Sequence, residues 1–323
     1  MSSEQLATSF DEPVLLGVIG GTGLYSLSGL VPVAKLDITT PWGKPSSPVT
    51  ISKTASGFPI AFISRHGVHH EFTPSTVPAQ ANIAALKHLG VNSIIAFSAV
   101  GSLQQHIKPR DFVIPTQIID RTKGIRPSTF FDTGFVAHVP FGDPFDYKLG
   151  KLLGEFGHAL GAEHEGDEVL LHTKKSEGGK DLTVICMEGP AFSTRAESKL
   201  YQSWGGSVIN MSVLPEAKLA KEAEISYQMI CMSTDYDAWR EEEEPVTLEI
   251  VVGNLKANSA NANNLLVAVL STVEKAIKAG EIGKDLEGFM RHSVVTGRPA
   301  HDPVVKAKVQ YLFPHYFDEE RNL

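Results

Sequence analysis

A chain of 323 residues with 42% hydrophobic residues can bury a sizeable core without disulfides, and its net charge of −8 gives no basic footprint for nucleic acid. Its two cysteines, Cys186 and Cys231, lack the spacing of a metal site and argue for a reducing compartment. No apolar stretch approaches the length of a membrane span, and residues 1–13 lack the basic and apolar regions of a secretory signal. We therefore expect a cytoplasmic protein, with the nucleus as a second location, and a disordered segment over 1–13.

The predicted elements alternate between strands and helices along most of the chain. Apolar runs bounded by glycine predict strands over 14–19, 58–65, 93–98, 111–119, 181–190, 206–212 and 226–237. Composition and periodicity predict helices over 77–89, 147–160, 194–204, 215–223 and 248–279. This alternation favours one α/β domain over 14–323 with a mostly parallel or mixed sheet, and the polar, glycine-bearing stretch 172–181 is expected to form an exposed loop.

The stretch GVIGGTGLYS, residues 17–26, places glycines and a threonine where the first predicted strand ends. It begins the dinucleotide fingerprint G-x-G-x-x-G, but Ser26 occupies the position of the last glycine. It also lacks the lysine of a nucleoside-triphosphate P-loop. A tight turn that presents backbone amides and the Thr22 hydroxyl remains, and such a turn can either cradle an anion or serve the fold alone.

Other predicted strand ends carry groups that bind anions: Arg65 and His66, Ser98 with the Ala99 backbone, and Ser212. Ligands of open α/β sheets collect at the carboxyl ends of the strands, so the agreement of these ends favours a phosphate-sized anion over separate surface roles. The histidines of SRHGVHHE, residues 64–71, do not follow the H-E-x-x-H zinc pattern, and we expect no metal there.

Two carboxylates, Asp235 and Asp237, lie two residues apart at the end of the apolar strand predicted over 226–237. In a strand, residues i and i+2 face the same side, so both carboxylates emerge together after a buried run. They either cap the start of the next element or recognise the edge of a base. In the second case one carboxylate accepts from an exocyclic amine and the other handles a ring proton.

Motifs of this kind occur together, in a fixed order, from about residue 15 to about residue 275. They include GVIGGTGL, SRHGVHH, QANIAALKHLGV, SAVGSL, EGPAFSTRAES and STDYDAW. In this set the chain closely resembles the 5′-methylthioadenosine phosphorylases of the trimeric purine nucleoside phosphorylase family, and its stretch 172–181 resembles the longer loop of fungal members.

The resemblance implies a single α/β domain with a central mixed sheet flanked by helices, assembled as a homotrimer. It also implies a reaction: methylthioadenosine and inorganic phosphate give adenine and 5-methylthioribose 1-phosphate, in methionine and purine salvage. That reaction needs no metal and no organic cofactor.

The resemblance also assigns site residues. The family's phosphate-binding positions match Thr22, Arg65, His66, Ser98, Ala99 and Ser212. Its nucleoside-binding positions match Phe192, Met211, Asp235, Asp237, Leu248, Val251, Val252 and His138. Among them, Asp235 and Asp237 are the expected catalytic pair that recognises the base, and His138 is contributed by a neighbouring subunit. The three residues at 248, 251 and 252 match the family's apolar pocket for the methylthio group, and their spacing puts them on one face of the predicted helix.

Two residues depart from the family pattern. Ala191 stands where many relatives carry Arg, beside Phe192, and Arg110 stands where a glycine usually precedes Asp111. Neither is a direct ligand position in this comparison. We expect the first departure to change the local loop and the second to change only a turn.

Three alternative functions stay open at this point. A 6-oxopurine nucleoside phosphorylase would share the fold and the phosphate site, although the pair Asp235 and Asp237 argues against a 6-oxo base. A hydrolytic nucleosidase would use water in place of phosphate, against which Arg65 and the set of hydroxyls argue. A non-catalytic nucleoside-binding or scaffold protein would keep the same residues without turnover.

Overall fold

The computed structural model describes residues 6–22, 24, 27, 29–122, 124–161, 168–240 and 248–317, with the backbone alone for 248–252. Its strands are β1 (Leu16–Gly20), β2 (Val31–Leu36), β3 (Val49–Lys53), β4 (Pro59–Ser64), β5 (Ser93–Ser102), β6 (Phe112–Val113), β7 (Gln117–Arg121), β8 (Leu171–His172), β9 (Thr183–Met187), β10 (Gly206–Asn210) and β11 (Ser226–Asp235). Its α-helices are α1 (Ala79–His88), α2 (Tyr147–Leu153), α3 (Arg195–Ser203), α4 (Val213–Glu222), α5 (Leu248–Lys278) and α6 (Pro303–Gln310). None of the described helices is long and apolar enough to cross a membrane.

All of these strands belong to one mixed sheet that branches at β5. The parallel strands β4, β1, β5 and β11 lie side by side in that order. Near its end β5 also pairs antiparallel with β10, from which the sheet continues through β9 to β7. The short strands β6 and β8 extend the sheet beyond β11, and β3 and β2 extend it beyond β4.

Helices cover both faces of this sheet because its central strands are apolar on both sides. Ile94 and Ala96 of β5 pack in one apolar cluster with α1 and α4, while Ile95 and Phe97 pack in another with α2 and α5. Successive residues of a strand point to opposite faces, so the alternation places the two clusters on opposite sides of the sheet. The prediction of an α/β domain with a central mixed sheet flanked by helices is confirmed.

The strand register brings several functional segments to one edge. Ile19 of β1 pairs with Ala96, so the turn after β1 lies level with Ser98 and Ala99 of β5. On the other side of β5, Ser98 pairs with Cys231, and β11 runs on to Asp235 opposite Gly101. The carboxyl ends of parallel strands meet at one edge, which is where α/β sheets bind ligands.

The N-terminal segment is held against the sheet, which corrects the prediction of disorder for its described part. The Ala7 amide donates to the Val33 carbonyl, and the Lys35 amide donates to the Ala7 carbonyl, which ties the segment to β2. Phe10 packs against the apolar core, and the Lys53 ammonium lies over its ring. Residues 1–5 lie outside the described residues. The edge strand β2 therefore orders the described part of the N-terminal segment, although the polar composition of that segment predicted disorder.

Other predicted boundaries shift for local reasons. The strand predicted to break before Gly101 continues through it, because Gly101 is paired with both β10 and β11. The strand predicted over 111–119 is two strands, β6 and β7, which separate around Pro115 and pair with different neighbours. The helix predicted over 147–160 changes to 3₁₀ geometry after α2. The prediction of an exposed loop over 172–181 is wrong at its first residue, because His172 ends β8 and is buried.

Candidate active site

The carboxyl-terminal ends of β1, β4, β5, β10 and β11 surround a cavity of about 380 Å³, within the range of small-molecule sites. Of the predicted site residues, it is lined by Thr22, Arg65, His66, Ser98, Ala99, Phe192, Met211, Ser212, Asp235 and Asp237. The structure thus brings together all of the expected phosphate-binding positions and both expected base-recognition carboxylates. The cavity has two parts: the arginine end, formed by Thr22, Arg65, His66, Ser98 and Ser212, and the carboxylate end, formed by Asp235 and Asp237.

The turn after β1 requires glycine because other segments touch its backbone. A Cβ on Gly21 would lie 2.5 Å from the Phe97 carbonyl oxygen and 2.8 Å from a guanidinium nitrogen of Arg65. The Leu24 amide donates to the Gly21 carbonyl, and Thr22, between them, lines the cavity. The absence of a side chain at 21 therefore lets the turn that carries Thr22 lie directly against β5 and Arg65.

Arg65, at the end of β4, is buried and held by a bidentate ion pair. Its Nε and Nη2 donate to the two carboxylate oxygens of Glu216 at 2.8 Å each, and its Nη1 donates to the Phe97 carbonyl at 2.7 Å. The Tyr227 hydroxyl donates to the same carboxylate at 2.7 Å. This pairing compensates the buried charge and fixes the guanidinium plane. Each terminal nitrogen carries a second N–H, so Arg65 keeps donors for a ligand in the cavity it lines.

His66 is neutral in this environment. Its Nδ1 lies 3.0 Å from the Phe72 carbonyl oxygen, which can only accept, so Nδ1 carries the ring proton. Burial and the charge of Arg65 lower the pKa of His66 to about 4, and His70 and Arg126 act in the same direction. Nε2 is therefore an acceptor, at an end of the cavity where Arg65 and the hydroxyl groups supply donors.

The two serines of the arginine end contact each other. Ser98 Oγ, on β5, lies 2.9 Å from Ser212 Oγ, which immediately precedes α4. Asn210 Nδ2 donates to Ser98 Oγ at 3.2 Å, and the Ser98 hydroxyl donates to the Ala99 carbonyl at 3.0 Å. Hydroxyl groups rotate freely about their C–O bonds, so both can turn their protons toward an anion without moving the backbone.

The carboxylate end has fewer compensating partners. The Thr234 hydroxyl and the Asp237 amide donate to the two oxygens of Asp235, at 2.7 Å each. Asp237 Oδ2 is buried and has no hydrogen-bond partner among the described residues. Burial raises the pKa of both carboxyl groups, and the charge of Asp235 raises that of Asp237 further. Asp237 therefore takes up a proton more readily than an exposed carboxyl does, and its protonated form can donate to a ligand.

The backbone at the carboxylate end is shaped to bring both acids to β5. Asp237 adopts a left-handed conformation with φ +51°, which Asp tolerates better than most residues. Gly101 lies opposite, and a Cβ there would be 3.1 Å from Asp235 Oδ1 and 3.2 Å from Asp237 Cβ. Glycine at 101 thus allows the close approach of the two acids to the end of β5.

Arg126, which sequence reasoning missed, ties together the two loops that carry Phe192 and Met211. It is buried and donates to the carbonyls of Glu188, Met211 and Leu214, at 2.6, 2.5 and 2.6 Å. Phe192 itself is 47% exposed at the rim of the cavity. The buried guanidinium therefore links the two loops, and this link joins residues too distant in the chain for the sequence to indicate.

Two further residues were missed although the sequence carried a signal for one of them. Glu216 is an acid on α4, whose other residues are mostly buried, and a buried acid requires a partner. That partner is Arg65, far away in sequence, so the pairing itself needed the structure. Asn210 is the last residue of β10 and lines the cavity, but an asparagine at a strand end is too common to indicate a site.

Some predicted site residues are not part of this cavity as the structure describes it. His138 lies elsewhere on the chain, where its amide donates to the Ser293 carbonyl. The backbones of Leu248, Val251 and Val252 are in the first two turns of α5, and their side chains lie outside the described part, as does Ser26.

The two departures from the family pattern have different settings. Ala191 is exposed next to Phe192 at the cavity rim. Arg110 has φ +78°, a backbone conformation that glycine adopts freely, in keeping with the glycine expected there. Its amide donates to the Ser233 carbonyl at 2.7 Å, so the turn is also fixed by β11.

The model of the phosphorylase superfamily matches residues 15–271, most of the chain and all of the strands that form the cavity. The class of protein that the sheet and its site define is therefore a phosphorylase of this superfamily.

Similarity to individual proteins narrows the class. S-methyl-5′-thioadenosine phosphorylase from Candida albicans is 65% identical over 319 residues, which cover 97% of this chain and 92% of that protein. The crystal structure of a methylthioadenosine phosphorylase from an antarctic soil metagenomic library is 36% identical, with a TM-score of 0.81, covering 94% of this chain and 100% of that one. The methylthioadenosine phosphorylase from Schistosoma mansoni in complex with adenine is 29% identical, with a TM-score of 0.76 and coverages of 87% and 99%. This chain belongs to the S-methyl-5′-thioadenosine phosphorylase family.

Proposed function

We propose that this chain catalyses the phosphorolysis of S-methyl-5′-thioadenosine. Phosphate oxygen forms a bond to C1′ of the ribose as the C1′–N9 bond breaks, and the products are adenine and 5-methylthioribose 1-phosphate. The proton that the phosphate loses balances the proton that adenine gains. The observation that carries the proposal is a cavity with anion-binding donors at one end and, at the other, a buried carboxyl whose pKa is raised by burial. The names of the relatives support the choice of nucleoside.

At the arginine end, the phosphate would be held by the free N–H groups of Arg65, the hydroxyls of Thr22, Ser98 and Ser212, and the backbone at Ala99. The Nε2 of neutral His66 would accept the hydrogen bond of a phosphate oxygen that still carries its proton. Such positioning replaces an encounter in solution and can lower the barrier by several kcal/mol. No metal and no organic cofactor enters this scheme.

At the carboxylate end, the purine would lie between the loop of Phe192 and the two acids. Asp237, holding a proton, would donate to N7 and so stabilise the negative charge that develops on the departing base. Asp235, ionised, would accept from the 6-amino group. A 6-oxo group would oppose two acceptors there, at a cost of about 1–3 kcal/mol, so the pair favours adenine over hypoxanthine. Met211 would contact the ribose hydroxyls.

The methylthio group would occupy an apolar pocket formed by Leu248, Val251 and Val252 of α5, with His138 of a neighbouring subunit in a homotrimer. One apolar group changes a preference by about 1–3 kcal/mol, so adenosine should be a weak substrate. Leu248→Asp should reduce the ratio of kcat/KM for methylthioadenosine to that for adenosine about tenfold or more. An unchanged ratio would remove Leu248 from the pocket.

One assay tests the proposal against its alternatives. Adenine release from methylthioadenosine by the purified chain is measured with and without inorganic phosphate, beside adenosine and inosine. We expect phosphate-dependent release, with methylthioadenosine used best and inosine not used. Release without phosphate would indicate a hydrolase, turnover of inosine a 6-oxopurine phosphorylase, and binding without turnover a nucleoside-binding protein.

A further inference from the structure

A second cluster of ionisable side chains lies outside the cavity. His106, His172 and Glu177 each offer a ligand atom for a metal, and these atoms all lie within 4.8 Å of one another. His106 Nε2 is 3.0 Å from Glu177 Oε2, and His172 Nδ1 is 3.0 Å from Glu177 Oε1. None of the three lines the cavity of the proposed reaction. We propose that this cluster binds a divalent transition-metal ion, with Zn²⁺ the first candidate.

The orientation of His172 is the strongest argument for a cation. Its Nε2 lies 3.0 Å from Asp111 Oδ2, so both ring nitrogens face carboxylates. Asp111 is itself fixed, since the amides of Lys108 and Leu170 donate to its two oxygens at 2.8 and 3.0 Å. A neutral imidazole has one N–H and one lone pair. With one N–H directed at the buried Asp111, the contact between Nδ1 and Glu177 needs a positive charge, which either a second ring proton or a cation between the two atoms supplies.

This arrangement has both the ligand atoms of a protein metal site and the carboxylate that usually lies behind a metal-bound histidine. A metal-bound histidine usually donates its second ring N–H to a carboxylate, which sets the tautomer and the ring orientation. Asp111 stands in that position behind His172, while His172, Glu177 and His106 supply the ligand atoms. Two imidazoles and one carboxylate suit Zn²⁺ and related ions, whereas Mg²⁺ and Ca²⁺ take oxygen ligands. His106 is 54% exposed, which leaves an entry path for the ion.

A bound ion would join two separate segments of the chain. His106 and Asp111 lie between β5 and β6, and Glu177 lies in the turn that follows β8. The same region reaches the carboxylate end through the backbone, because the Ser233 amide donates to the Asp111 carbonyl at 2.9 Å and Asp235 follows two residues later. The ion would therefore stabilise the loop over 173–181 and its attachment to β11, and it takes no part in phosphorolysis.

The test uses the full chain after treatment with EDTA. Zn²⁺ is titrated by calorimetry, with Mg²⁺ as the ion that should not bind, and thermal unfolding is followed with and without Zn²⁺. We expect one Zn²⁺ per chain and a Tm that rises with Zn²⁺ concentration, since the ion binds the folded state. His106→Ala should raise the Kd for Zn²⁺ at least tenfold and reduce the rise in Tm at a given Zn²⁺ concentration.

Because His106 is exposed, its replacement by Ala should leave the chain folded. His315→Ala, which changes another exposed histidine, is the matched control. Glu177→Gln is a second ligand variant and should weaken Zn²⁺ binding in the same way. The proposal is overturned if the wild-type chain takes up no Zn²⁺, in which case a proton on His172 serves the same purpose. It is equally overturned if His106→Ala binds Zn²⁺ with the stoichiometry and Kd of the wild type.

Discussion

The two ends of the cavity differ in how far their buried charged groups are paired within the chain. At the arginine end the charged group is fully compensated: Arg65 is paired with both oxygens of Glu216, and Tyr227 donates to the same carboxylate. At the carboxylate end Asp237 keeps a buried oxygen without a partner among the described residues, and burial raises its pKa. The charge at the first end is already paired within the chain, whereas the second end has a buried carboxylate oxygen to which a ligand can supply a hydrogen bond.

This difference matches what each end has to do in the proposed reaction. Phosphate carries its charge before and after the reaction, so donors held in fixed positions serve it throughout. The purine gains negative charge only as its bond to the ribose breaks. A carboxyl that holds a proton until that moment stabilises the transition state more than the bound nucleoside, which is the condition for catalysis.

The largest effect is expected from removing the acid at the carboxylate end. Asp237→Ala should lower kcat for methylthioadenosine by about 10²–10⁴-fold, because proton donation to the leaving base is lost. Asp237→Asn is the matched control, since its amide keeps a donor of similar shape, and it should retain more activity than the alanine variant. Steady-state kinetics at saturating phosphate measure both. An alanine variant within threefold of the wild type would show that the carboxylate end does not handle the proton.

At the arginine end the largest expected effect is on stability. Glu216→Ala leaves the guanidinium of Arg65 buried without its counter-ion, which should lower the free energy of unfolding by about 3–5 kcal/mol. Asp37→Ala breaks the exposed pair with Lys44 and is the control, with an expected loss below about 1 kcal/mol. Urea unfolding at constant pH compares the two. Equal losses in the two variants would mean that the arginine end is not held by its ion pair.

The sequence indicated the residues of the site much better than the links between them. Gly21 and Arg65 directly follow strands and Asp235 ends one, and strand ends can be recognised from apolar runs and glycines. Ser98 was also predicted to end a strand, but it lies inside β5, four residues before its end. The parallel sheet then brings those ends together, so predicting the strands was enough to predict that the residues meet. The resemblance to a known family added Phe192 and Met211, which lie on loops with no pattern of their own.

The contacts that the sequence did not predict join segments that are distant in the chain. Glu216 lies 151 positions from Arg65, and Arg126 lies 85 positions from Met211, whose carbonyl it binds. The sequence around each of these residues does not indicate which distant residue it contacts. The anchoring of Ala7 to β2 was missed for the same reason, because an edge strand pairs with whatever segment reaches it.

The two ends should also contribute in opposite directions to the pH dependence of the free energy of unfolding. The pKa of His66 is lowered to about 4 in the folded chain, against about 6.5 when unfolded. As pH falls below about 6.5 the unfolded chain takes up this proton first, so stability is lost, by about 2 kcal/mol between pH 7 and pH 5. The raised pKa of Asp237 acts in the opposite direction, because the folded state then binds the proton more readily as pH falls.

Replacing the histidine isolates its share of that pH dependence. His66→Gln should make the free energy of unfolding less dependent on pH between 7 and 5 by about 2 kcal/mol, measured by urea unfolding at each pH. His69→Gln, an exposed neighbour, is the control and should keep the slope of the wild type. If both variants keep that slope, His66 is not the neutral acceptor that its contact with Phe72 indicates.

The last expected effect is on the affinity for phosphate and tests the turn after β1. Thr22→Val removes one hydroxyl from the arginine end while keeping the shape of the side chain, and a hydrogen bond to a charged group contributes about 1.5–3 kcal/mol. The KM for phosphate should therefore rise about tenfold or more, with the KM for methylthioadenosine changed less than about twofold. Initial rates over a grid of both substrate concentrations separate the two constants. Because Gly21 brings this turn against Arg65, a rise in the nucleoside KM alone would mean that the turn faces the sugar and that the anion is held by Arg65 and the serines without it.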